Sequence, residues 1–322
     1  MQMSDWWPLA DSIGNESAMH SALCILHSAM LKRLAVYASF VRVSHSVFAL
    51  PFALAGALLA AQRIHGSDPA LWLKATGGRL LLWILVAMVA ARSAAMGFNR
   101  LADARLDAKN PRTANRELPR GVMSTREAAV FIAVASAAFV YATWRLNPLC
   151  FALSPIALGI VFWYSLAKRY TTWTQLFLGL AMAVAPVGGW LAVGGRGGWE
   201  PWLLATAIGT WVGGFDVLYA CQDLDFDRAH GLRSIPVRFG VPASLAISRA
   251  MHVIAVACLV ALALVAPLGR VYLVGVGAVA LMLVYEQSLV RADDLSRVKR
   301  AFDLNGYVGI LYLFVLVVSL YG

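Results

Sequence analysis

Charge is scarce in this sequence. Only 14% of its 322 residues are Asp, Glu, Lys or Arg, against roughly 25% in an ordinary soluble domain, and a chain so poor in charge cannot clothe a water-facing globule. Sulfur is thin as well: Cys24, Cys150, Cys221 and Cys258 lie far apart with no C-x-x-C, so neither a disulfide framework nor a zinc site is expected. No histidine pair offers itself to haem or zinc, and His45 is the one histidine near the residues singled out below. The apolar runs do not alternate with polar residues as membrane β-strands must. At the N-terminus, Trp6-Trp7-Pro8 is followed by polar residues with no basic segment ahead of an apolar core, which argues against a signal peptide. Acidic residues are outnumbered 17 to 27, for a net charge of +10. In an apolar chain such a surplus belongs to cytoplasmic loops, so no nucleic-acid partner is expected.

What is abundant is hydrocarbon. Sixty per cent of the residues are hydrophobic, and apolar runs of about 20 residues, the length that spans a bilayer as a helix, recur along the chain. The reading is an all-α polytopic membrane protein with nine spans. They are placed near Ala38–Ala61, Leu80–Phe98, Ala128–Trp144, Leu149–Ala167, Leu176–Val193, Trp202–Tyr219, Leu245–Pro267, Val271–Val290 and Leu304–Leu320. Residues 1–37 read as an N-terminal extension, with an interfacial helix near Ser21–Met30 and Met30 as an alternative start, and residues 38–322 as one membrane domain. Pro51 with Gly56, and Pro186 with Gly188 and Gly189, are expected to break the first and fifth spans. Basic residues crowd the loops after the even-numbered spans. The other loops hold only Arg63, Lys74, Arg79, Arg145, Arg196 and Arg270. The positive-inside rule then puts the N-terminus and the even loops in the cytoplasm of an inner (plasma) membrane protein, and the C-terminus outside.

The chemistry concentrates between Arg92 and Gly121. Asn99, Asp103 and Asp107 recur every four residues, a spacing that puts them on one helical face about 6 Å apart in successive turns. Stacked carboxylates repel, and a divalent cation relieves the repulsion; Mg2+ takes carboxylate oxygens together with substrate phosphates. A lone D-x-x-x-D is more often a solvated helix end. Here a second cluster stands at the same place on another span: Asp223 and Asp227, with Asp225 between them, end span six and run into a basic loop. Four spans separate the two clusters, so their helices point the same way. Acid and base together at one membrane face suit a diphosphate neutralised by Mg2+, with arginines on the remaining phosphate oxygens.

Asn99-x-x-x-Asp103-x-x-x-Asp107 resembles the first signature of the UbiA superfamily of intramembrane aromatic prenyltransferases, and Tyr219-Ala220-x-x-Asp223-x-x-x-Asp227 resembles its second. The likeness extends to Arg112, Arg116, Pro119 and Gly121, to Tyr164, and to Lys168-Arg169. Within the superfamily the chain looks most like the 4-hydroxybenzoate polyprenyltransferase branch, including members of the futalosine route to menaquinone, to which the stretch from Ser44 to Leu54 is similar. The resemblance implies nine helices around a cavity open to the cytoplasm. It also implies a Mg2+-dependent transfer of a polyprenyl group from polyprenyl diphosphate to a hydroxylated aromatic acid. On this reading Asn99, Asp103, Asp107, Asp223 and Asp227 bind Mg2+–diphosphate as the catalytic and metal set. Arg112, Arg116, Lys168 and Arg169 contact diphosphate, and Tyr164 and Tyr219 offer ring faces that shield an allylic cation.

Three positions are open on sequence alone. Arg92 lies seven residues before Asn99 and Asp216 seven before Asp223; they either pair across the two helices or line a cavity below the metals, near the acceptor. Arg42 is either an interfacial arginine or the partner of the acceptor's carboxylate. Asp225 is a further ligand or points to water. A transporter using the two clusters as an ion site is the competing class, but transporters place such residues near the bilayer midplane on broken helices, and arginine-rich flanks repel a cation.

Overall fold

The computed structural model describes residues 27, 30, 33, 35–41, 49–66, 68 and 78–322. Among them the chain is helical nearly throughout. The elements are α1 (Leu50–His65), α2 (Arg79–Asp107), α3 (Thr125–Leu146), α4 (Pro148–Ala167), α5 (Thr174–Ala192), α6 (Glu200–Ala220), α7 (Leu224–Ala229), α8 (Ile235–Val265), α9 (Gly269–Ser288) and α10 (Val298–Tyr321). A further helical segment covers 35–41. Among the described residues eight helices are long and apolar enough to cross a membrane, α2 to α6 and α8 to α10, with α6 counted through α7 to Ala229. The first expected span corresponds to α1, 16 residues long from Leu50; residues 42–48 lie outside the described ones, and with them Arg42 and His45.

Helix ends follow local chemistry. Ser124 accepts from the Glu127 backbone N–H while the Glu127 carboxylate answers the Ser124 N–H, a reciprocal cap that starts α3. Asn147 caps α4 ahead of Pro148, and Ser234 caps α8 ahead of Pro236. Gly240, at φ 77°, kinks α8 one turn after it begins.

The expected breaks at proline are not there. Pro51 sits in the first turn of α1, where its missing N–H is harmless, and α5 runs through Pro186. The glycines serve packing instead. A Cβ on Gly56 would strike the carbonyl of Pro186, and one on Gly189 the carbonyl of Ala53. With no hydrophobic force between helices in lipid, α1 and α5 associate by this backbone-to-backbone approach. Burial is uneven. Over half of the α6 window is inside the protein, against 17% for α4. α6 is the hub on which α5 and α8 pack.

One end of the bundle is closed by few polar contacts. Arg63 pairs with the buried Glu200 and lies 5.9 Å over the Trp190 ring, and Asn147 Nδ2 donates to the Leu191 carbonyl at 2.8 Å. The opposite end, where α2, α4 and α6 finish, holds the charge.

Candidate active site

α2 continues nine residues past the apolar run that the sequence suggests, and this extension carries Asn99, Asp103 and Asp107 on one unbroken helix. Both aspartates are buried, so each needs a partner. Asp103 receives Lys168 Nζ at 2.5 Å and Arg169 Nη2 at 3.1 Å. Arg169 is fixed to the same helix by a 2.6 Å bond to the Ala102 carbonyl. Asp107 receives Arg116 Nη1 on both oxygens, at 2.9 and 2.7 Å.

The second cluster is built differently. α6 ends at Ala220, Cys221–Asp223 tightens into a 3-10 turn, and Asp227 stands on the separate short helix α7. Asp223 is gripped in a fork by Arg112, Nε at 3.1 Å and Nη2 at 2.7 Å. Arg112 also donates to the Tyr219 hydroxyl at 3.1 Å and lies 5.4 Å over that ring. Burial alone would lower the Arg112 pKa, but Asp223, Tyr219 and the more distant Asp107 outweigh it and raise the pKa. One guanidinium thus feels both clusters, which brings them to a single site. Lys168 does the same from the other side, since its charge reaches Asp103, Asp216 and Asp227.

Each cation singled out in the loops is therefore found on a carboxylate. Asp225 is exposed on α7. Asp216 lies two turns below Asp223 on α6, and among the described residues no ion pair joins it to Arg92. Tyr164 stands close enough to Arg92, Asp103 and Asp216 to feel all three charges. Arg92 and Tyr164 lie at the wall of a cavity of about 690 Å³ that is otherwise overwhelmingly apolar and runs between α2, α4 and α5. Leu153, Ile156, Leu176 and Leu180 line it and are also exposed on the lipid-facing side.

Three residues were missed by sequence reasoning. Asn110 takes the Arg112 N–H on its side-chain oxygen at 3.0 Å and donates to Asp223 at 3.4 Å, so it presets the arginine on its aspartate; the Asn-Pro step at 110–111, a turn signal, is its trace in the sequence. Arg233 ties the loop before α8 to the loop after α4 through the Lys168 and Tyr170 carbonyls, each at 2.7 Å. Glu117 bonds Arg100 and Ser39. Neither Arg233 nor Glu117 stands in a pattern that periodicity can find.

The donor set fits a hard cation that shares its shell with phosphate. Among the described residues no three carboxylate, imidazole or thiol groups converge to enclose a metal by themselves. Mg2+ binds through one or two carboxylates and completes its octahedron with water and phosphate, and Asp103, Asp107 and Asp223 beside four cations offer such a set. Arg116 Nε and Arg169 Nη1 are buried and make no hydrogen bond within the protein, which leaves both donors available to a phosphate oxygen.

Known proteins agree with this architecture. The UbiA prenyltransferase family matches residues 22–315. A 4-hydroxybenzoate octaprenyltransferase of Vibrio atlanticus is 32% identical over 230 residues, 71% of this chain and 81% of that protein. One from Marinobacter nauticus is 34% identical over 244 residues, 74% and 83% of the two chains. Among solved structures, the apo UbiA homolog from Aeropyrum pernix K1 superposes with a TM-score of 0.75 at 35% identity, covering 85% of this chain and 98% of that one. A UbiA homolog from Archaeoglobus fulgidus bound to GPP and Mg2+ shares the fold, with a TM-score of 0.66 at 20% identity over 88% of this chain and 99% of its own. The chain is a multi-span membrane prenyltransferase and belongs to the UbiA prenyltransferase family.

Proposed function

We propose that this enzyme transfers a polyprenyl group from polyprenyl diphosphate to a hydroxylated aromatic acid, with Mg2+, in quinone biosynthesis. The observation that carries the reading is the pairing of Asp103, Asp107 and Asp223 with Lys168, Arg169, Arg116 and Arg112 at one end of the bundle. A diphosphate bringing Mg2+ can take both partners of each pair, the carboxylate through metal and the cation directly. The names of the relatives, 4-hydroxybenzoate octaprenyltransferases, favour the same substrate classes. Loop charge favours a cytoplasmic site and a cytoplasmic N-terminus.

In this scheme Asn99, Asp103, Asp107, Asp223 and Asp227 hold the metal–diphosphate unit. Arg112, Arg116, Lys168 and Arg169 bind phosphate oxygens, positioned before the C–O bond breaks, so little reorganisation is needed as charge develops on the leaving group. Bound Mg2+ supplies Lewis-acid stabilisation of the departing diphosphate. Tyr219 and Tyr164 present ring faces towards the allylic carbon, where a cation is attracted to an aromatic quadrupole. The apolar cavity takes the prenyl tail, and its lipid-side leucines allow the tail to remain partly in the bilayer. Arg92 at the cavity wall is the candidate partner of the acceptor's carboxylate, with Arg42 as the second. Asp216 borders the same region.

The test is a membrane assay with labelled prenyl diphosphates of several lengths and a panel of phenolic acids. Product should form with at least one acid, vanish in excess chelator and return with added Mg2+. Full activity in chelator would sink the metal scheme, and no product from any phenolic acid would sink the acceptor class.

A further inference from the structure

The loop from Ala108 to Met123 delivers Arg112 and Arg116, and it has a third anchor. Glu117 follows Arg116 directly. One of its oxygens takes Arg100 Nη1 at 3.2 Å, and the other takes the Ser39 hydroxyl at 2.5 Å. Arg100 is 4% exposed and its partner's side chain 13%, so the ion pair is poorly screened. Arg100 belongs to α2 and Ser39 to the helical segment at 35–41. The Glu117 carbonyl also takes the N–H groups of Val122 and Met123, at 3.0 and 3.3 Å, closing the loop onto itself. Glu117 is thus the point where the loop, α2 and the N-terminal segment meet.

Beside the Asn110–Asp223 bond and the Thr113 hydroxyl on the Asp107 carbonyl, two sets of charged contacts hold this loop in the empty enzyme. Arg112 and Arg116 tie it inward to Asp223 and Asp107, while Glu117 ties it outward to Arg100 and Ser39. If the two arginines go over to phosphate, as the proposed function requires, the inward ion pairs to protein are surrendered. The outward ties make no use of either arginine and survive. Their share in holding the loop is then larger with substrate bound than without it, and only such a difference between states alters binding.

We propose that Glu117, set by the buried Arg100 and by Ser39, is a positioning residue that keeps Arg112 and Arg116 over the diphosphate after they leave their carboxylates. The inference rests on the diphosphate reading of the site. It assigns Glu117 to the donor substrate alone: the acceptor approaches from the cavity below, which Glu117 does not line.

The probe is inorganic pyrophosphate with Mg2+, read as the ligand-induced rise in melting temperature of the purified full chain, beside KM for both substrates. Glu117→Gln should bind pyrophosphate about tenfold more weakly, the size expected when a charged hydrogen bond is lost, and raise KM for prenyl diphosphate equally without moving that of the acceptor. Because Glu117→Gln takes a charged partner from the buried Arg100 and can lower the melting temperature of the empty protein, a second variant, Arg100→Gln with Glu117→Gln, removes both charges. It should fold better than the single variant yet keep the weak pyrophosphate binding. Ser39→Ala should shift binding in the same direction by less. Wild-type pyrophosphate affinity in the double variant overturns the positioning role, as does an equal rise in both KM values. A wild-type enzyme that ignores Mg2+–pyrophosphate overturns the diphosphate reading itself, and the proposal with it.

Discussion

The two acidic clusters read alike in sequence and are built unlike in space. The first stands on one continuous helix, with Asp103 and Asp107 buried and locked by cations from the loops after α2 and α4. The second straddles a 3-10 turn, so Asp223 and Asp227 sit on different elements, and α7 has no buried residue. A rigid shelf thus faces a jointed one. The difference suggests a division of labour in which α2 fixes the position of the diphosphate and the Asp223–Asp227 segment adjusts to it.

Removing carboxylates tests this division most severely. Asp103→Ala and Asp107→Ala should each lower kcat/KM by roughly a thousandfold, the scale at which preorganised charge acts on a transition state. They should also cost about 2 kcal/mol of stability, because the partly buried Lys168, Arg169 and Arg116 lose charged hydrogen bonds to a buried acceptor. Asp223→Ala should match the activity loss with a smaller change in melting temperature, since Arg112 remains half exposed. Equal destabilisation at both clusters would remove the distinction between fixed and jointed halves. Steady-state kinetics and thermal melts on the same preparations decide it.

The next effect is smaller and more selective. Arg92→Ala should raise the acceptor KM about tenfold or more, as expected when a carboxylate loses a cation in an apolar cavity, and leave that of prenyl diphosphate near wild type. Should both KM values stay unchanged, Arg92 plays no part in binding either substrate. Smallest of all, Asp225→Ala should change activity by less than about twofold, because an exposed side chain away from partners contributes little. A loss there as large as at Asp223 would make it a ligand after all.

Much of this was legible in the sequence, for definite reasons. Asn99, Asp103 and Asp107 fall on one face because a helix repeats every 3.6 residues, and that arithmetic needs no tertiary information. The spans are visible because a lipid-facing helix must be apolar over its whole length. What stayed hidden depends on contacts between distant residues. Nothing near Arg112 says that its fork closes on Asp223, 111 positions away. Nothing near Glu117 names Arg100 rather than another of the seven basic residues from Arg100 to Arg126 as its partner. The prolines misled because Pro186 reads as a helix breaker, whereas α5 accommodates it against the glycine of α1.

If the site takes Mg2+ and diphosphate as proposed, the resting ion pairs make it a reciprocal one. Mg2+ arriving alone must displace a guanidinium or ammonium from a buried carboxylate and leave that cation stranded, and diphosphate arriving alone strands the carboxylate. Together they strand neither. By linkage, whatever factor Mg2+ contributes to the affinity for diphosphate, diphosphate returns to Mg2+. Titrated singly, each should bind weakly. Titrated with the other present, each should bind tightly and by the same ratio, so the enzyme would respond to the metal–diphosphate complex as to one ligand and stay closed to either ion on its own.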